Sequence, residues 1–129
     1  MRCFLLGMLG GLLLLVVVIV ASSQYSDYQS RAQTEEWLYR VEPIQADIEK
    51  NAIRQNSLMN AGRNVDKKAF QYANNLNLFE IAETGMLILR GGKEGQAVIL
   101  IPSLAAGQVT WRCIGGPSHA IPSSRCVNN

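Results

Sequence analysis

One histidine in 129 residues leaves little for acid–base or metal chemistry. His119 stands between Pro117 and Pro122 with no serine, cysteine or carboxylate at a spacing known for nucleophilic catalysis, so it reads as a solvated loop residue. Asp66, Glu80 and Glu83 form no metal-ligand pattern, and no glycine-rich loop lies between a strand and a helix to cradle phosphate. Charge of one sign is also scarce. Twelve basic against ten acidic residues give a net charge of +2, too small to argue by itself for a nucleic-acid surface. No catalytic residue, cofactor, metal site or small-molecule substrate is expected, and the chain reads as a non-enzyme.

The most telling scarcity is local. From Cys3 to Ala21 there is no charged residue, a run of about nineteen positions that at helical rise just covers the hydrocarbon core of a bilayer. Arg2 and the amino terminus put positive charge ahead of it, which keeps the start cytoplasmic and places the bulk of the chain outside. A cleaved secretory signal is the competing reading, because Ala21, Ser22 and Ser23 are small residues of the kind that precede a cleavage site. The length of the run favours an anchor, and both readings export the domain. Cys3 reads as an apolar residue of that anchor or as a lipidation candidate.

Neither Gly nor Pro separates this run from Gln24 to Gln33, so one helix passing from lipid into water is expected. Its helical period continues in Trp37, Val41, Ile44, Ile48 and Ala52, a stripe that must bury against something. Asp27 with Arg31 and Glu36 with Arg40 are acid-first pairs four apart, suited to a solvated face. Pro43 falls inside the pattern, and because the stripe resumes at Ile44 a bend is expected there instead of a stop.

Residues 56–77 are polar and asparagine-rich, an exposed connector in which Val65 to Ala73 has the makings of a short helical turn. The period then becomes two. Leu78 to Glu83, Met86 to Arg90, Ala97 to Pro102 and Gln108 to Ile114 read as strands whose short connections demand antiparallel neighbours. Cys113 and Cys126 bracket Gly115, Gly116, Pro117 and Pro122, a spacing and composition suited to a looped disulfide in an exported protein. The expected fold is α+β. A transmembrane part at 3–23 leads into a globular domain at 24–129, made of a helix at 24–55, a connecting loop at 56–77, a four-stranded β-meander at 78–114 and a disulfide loop at 113–126.

The residues around the membrane junction also match a family pattern. Gln24, Tyr25, Asp27, Tyr28, Arg31, Ala32 and Gln33 stand where the bacterial type IV pilins carry a segment of the form Gln-Tyr-x-Asp-Tyr-x-x-Arg-Ala-Gln. Ile101-Pro102-Ser103-Leu104, Gly107 to Cys113, Pro122 and Cys126 resemble the family's last strand and terminal disulfide loop. The chain thus resembles a type IV pilin over most of its length. Counting back from Gln24, the family's first phenylalanine falls at Arg2 and its membrane glutamate at Leu6, so the pattern of leader and acid is not matched. Without that buried carboxylate a divergent or minor subunit is expected.

The resemblance implies a structural subunit of a surface filament that supports cell adhesion. Its partners would be other pilin subunits through the N-terminal helix. It would reside in the bacterial inner membrane with its domain in the periplasm, then at the cell surface once assembled. Tyr25, Tyr28, Trp37, Val41, Ile44 and Ile48 are the expected helix-packing residues. Gly7, Gly10 and Gly11 are candidates for close helix contact in lipid. The alternative is a membrane-anchored or secreted module that does not polymerise and binds DNA or a surface ligand. Its candidate basic patch is Lys93, Arg112 and Arg125, with Lys67 and Lys68 as further contributors.

Overall fold

The charge-free run and the amphipathic stripe form one helix, α1, Arg2–Gln55, in a computed structural model that describes residues 2–70 and 75–128. The side chains of Cys3 and Leu6 lie outside the described residues, as do residues 71–74 of the connector. Helix α1 runs through Pro43 without a break. Pro43 and Tyr39 both face solvent, where water reaches the backbone carbonyl that the proline leaves without its N–H donor. The helix stops at Asn56, which takes a left-handed φ of 50° while Ser57 N–H donates to Ala52 O at 3.0 Å.

Five strands follow: β1 Leu76–Ile81, β2 Leu87–Gly91, β3 Gln96–Ala105, β4 Gln108–Gly116 and β5 Val127–Asn128. The first four make an antiparallel meander in chain order, and β5 adds a short parallel strand beside Ile114 and Gly115. The expected four-stranded antiparallel sheet is present, and a short fifth strand joins its edge. Two residues carry no period, and β5 is placed by Cys126, which is bonded to Cys113 on β4.

Other boundaries move for local reasons. Strand β1 begins and ends two residues before its expected span, because the β1–β2 turn takes up Ala82 to Gly85: Gly85 N–H donates to Ala82 O at 2.9 Å. Gly85 has φ +86°, and a Cβ there would come within 2.5 Å of Ile48 Cγ2, so the turn rests directly on the helix. Strand β3 continues past Pro102 to Ala105. On its β2 side the ladder ends at Leu87 with Leu100, so the missing proline N–H falls beyond the reach of β2.

Alternation divides the sheet into two faces. Phe79, Ile81, Leu87, Leu89, Val98, Leu100, Val109, Trp111 and Cys113 meet the α1 stripe of Trp37, Leu38, Val41, Ile44, Ile48 and Ala52 in one core. The connector contributes more than an exposed loop would. Ala61 and Phe70 are buried, Phe70 in a 3-10 turn at Lys68–Phe70, and its ring stacks on Phe79 at 4.3 Å. That turn is all that the described residues contain of the helical stretch expected at Val65 to Ala73.

The β3–β4 connection is a two-residue hairpin closed by Ala105 opposite Gln108, with Ala106 at φ 49° and Gly107 at φ 74°. Two left-handed residues in a row suit Asn-Gly far better than Ala-Gly. Ala106→Asn is expected to stabilise the domain by about 1 kcal/mol. A denaturation midpoint unchanged or lowered by this substitution would count against the turn geometry.

Candidate functional site

Helix α1 has two faces with opposite fates. At about 100° per residue, Ser30, Thr34, Trp37, Val41, Ile44, Ile48 and Ala52 share the face beneath the sheet, and all are buried. Tyr28, Ala32, Tyr39, Ala46 and Ile53 fall on the opposite face, with Tyr28 70% and Tyr39 72% exposed. The same rotation, carried back into the charge-free half, brings Gly10, Leu14, Val17 and Ala21 into line with them.

From Gly10 to Ile53 these positions make one stripe about 65 Å long and about 60° wide. Glu35 and Lys50 are its charged members. Every residue of the stripe is exposed in the single chain, and the half of α1 that precedes the domain is long and apolar enough to be a membrane span or a signal sequence. A Cβ placed at Gly7, Gly10 or Gly11 would meet nothing within 4 Å. Of the three, Gly10 lies on the stripe and Gly11 about 100° away from it.

The rotation of α1 against the sheet is fixed by polar bonds, the first two of them buried. Gln96, fully buried on β3, donates from Nε2 to Ser30 O at 2.9 Å, and Thr34 Oγ1 donates to Ala120 O at 2.9 Å. Arg31 Nε donates to His119 O at 2.8 Å. Ser26 Oγ donates to Glu94 Oε1 at 3.3 Å, while Glu94 Oε2 lies 3.6 Å from His119 Nε2. At the far end of the domain Trp111 Nε1 donates to Glu49 Oε1 at 2.7 Å. A buried amide left without its partner is costly, so turning the helix would break contacts at both ends. The sheet therefore dictates which face of α1 looks outward.

The expected helix-packing residues separate accordingly. Trp37, Val41, Ile44 and Ile48 pack beneath the sheet, whereas Tyr25 and Tyr28 point away from this chain's own domain. The separation follows from the helical period, which sets Tyr28 about half a turn from the buried stripe. Tyr39, Ala46 and Ile53 were not singled out in the sequence, although the complement of the buried stripe identifies them by the same arithmetic. Of the two acid-first pairs, Glu36 and Arg40 meet at 2.7 Å, while Arg31 turns to the His119 carbonyl in place of Asp27.

The candidate basic patch is brought together in part. Arg112 and Arg125 flank a cleft of about 520 Å³ beside the disulfide, where Arg125 is held by Glu42 at 2.9 Å. Lys93 lies in the β2–β3 turn. That turn is level with the Gly116 end of β4, about 13 Å along the strand from Arg112. Lys67 and Lys68 belong to the connector that leads into β1 at the opposite edge of the sheet. Compared with known proteins, the chain matches no family model, no curated protein and no solved structure.

Proposed function

We propose that this chain is a structural subunit of a type IV pilus or related surface filament, in a minor or accessory role that supports cell adhesion. It is inserted in the inner membrane by the first half of α1, with the domain in the periplasm, and joins other subunits through the outward stripe of that helix. The observation that carries this reading is the continuity of the stripe: small, apolar and tyrosine residues hold one face from Gly10 to Ile53, across the point where the domain begins, with Glu35 and Lys50 as its two charged positions. In lipid such a face gains by close packing against another helix, and in water its tyrosines gain by leaving solvent. The resemblance of Gln24 to Gln33 and of the Cys113 to Cys126 region to pilins supports the same reading.

Tyr39→Glu tests it, because the ring is exposed and its loss leaves the core untouched. The variant is expected to unfold at the same temperature as the parent and to fall about tenfold in sheared surface filaments, the effect of losing roughly 1.4 kcal/mol at the contact. Cysteines substituted at Tyr28 and Tyr39 in a Cys3→Ala background are expected to cross-link between copies. A Tyr39→Glu protein recovered in filaments at the parental level would overturn the assembly surface. A chain that stays monomeric in the membrane would favour the ligand-binding module instead.

A further inference from the structure

Where α1 ends and the chain reverses, at the pole of the domain farthest from the apolar half, Asn51, Arg54, Gln55, Asn60, Arg63 and Asn64 line a cleft of about 280 Å³. We propose that this cleft is a binding site for an acidic saccharide, with the sugar carboxylate on the arginines and its hydroxyls on the amides. The inference does not depend on whether the chain polymerises.

The lining is all amide and guanidinium, with no carboxylate among the six. Part of that polarity is used to hold the cleft in shape. Asn51 Nδ2 donates to Ala61 O at 3.1 Å, and Arg54 Nη2 to Asn51 Oδ1 at 3.3 Å. Gln55 Nε2 donates to Ser57 O at 3.0 Å and Met59 O at 2.6 Å. Arg63 Nη2 is held by Glu83 Oε1 at 2.9 Å, an exposed pair that occupies one edge of the guanidinium. Among the described residues no side-chain partner occupies the remaining N–H groups of both arginines, Gln55 Oε1 or the exposed amides of Asn60 and Asn64, which are the groups offered to a ligand.

A guanidinium presents paired donors at the spacing of a carboxylate, and side-chain amides offer both the donor and the acceptor that a sugar hydroxyl needs. The volume suits one saccharide unit more than a polymer track. A nucleic-acid strand would call for a longer run of cations with aromatic platforms, and no aromatic residue lines this cleft.

The test is calorimetric titration of the full chain in detergent micelles with trigalacturonate, with neutral maltotriose and with a short single-stranded oligonucleotide. Trigalacturonate is expected to bind at least about tenfold more tightly than maltotriose. Arg54→Gln is expected to weaken it by a similar factor while the unfolding temperature stays unchanged. Four results would each overturn the proposal: no heat from trigalacturonate at millimolar concentration, equal binding of maltotriose, undiminished binding by Arg54→Gln, or a preference for the oligonucleotide.

Discussion

Trp37→Ala is expected to destabilise the domain by about 4 kcal/mol, the largest effect of any single truncation in this chain. The indole is 1% exposed, and it sits on α1 within the cluster that the helix shares with the sheet. Removing it takes away the transfer energy of a large ring and leaves a cavity that a rigid helix on one side and a hydrogen-bonded sheet on the other cannot collapse to fill. For a domain of about 100 residues each kcal/mol moves the melting temperature by about 4–8 °C, so a fall of roughly 15–30 °C is expected in thermal unfolding of the full chain. Tyr39→Ala, two residues further along the same helix, is the matched control and is expected to stay within about 0.5 kcal/mol of the parent. A loss below about 1 kcal/mol for Trp37→Ala would place the ring on the surface instead.

Removing the Cys113 to Cys126 bond by a double substitution to alanine is expected to cost about 3 kcal/mol in the chain-entropy account of loops of this size. Its effect is concentrated at the end of the chain. Strand β5 meets β4 over two residues, so without the covalent tie it has little to hold it in register. Arg125, exposed and paired with Glu42, then becomes an accessible tryptic site. The expected outcome is faster cleavage after Arg125 in the variant, and in the parent after reduction, with the core fragment surviving longer. Digestion that is the same with and without reductant would show that the bond does not hold the segment.

Much of this architecture was legible because it is periodic. The run from Cys3 to Ala21, the 3.6-residue stripe from Trp37 to Ala52 and the alternation along the four longer strands each repeat one physical requirement many times over. Their type and order could therefore be read directly. What escaped lacks repetition. Ala61 and Phe70 are single apolar residues in a polar stretch, and nothing local marks them as core. The β5 strand is two residues long and exists because a covalent bond from Cys126 delivers it to β4.

The outward stripe lay partly in view. Tyr25 and Tyr28 stand out as aromatic residues of a recognisable segment, and as helix-packing residues they are grouped with Trp37 without a distinction of face. The helical period sets Tyr28 half a turn from Trp37, and the rotation fixed by Gln96 with Ser30, and by Thr34 with Ala120, shows which of the two groups faces the sheet. Lys93 stands apart from Arg112 and Arg125 for a related reason. Distance along the chain does not tell that Lys93 and Arg112 lie at different heights on the sheet.

The same polar contacts bear on how the protein carries tension. Gln96 to Ser30, Thr34 to Ala120 and Arg31 to His119 join α1 to its domain within two turns of helix, close to where the apolar half leaves it. Within so short a stretch of helix, they share whatever load the helix transmits. A pull transmitted from the apolar half therefore meets the domain at these three contacts.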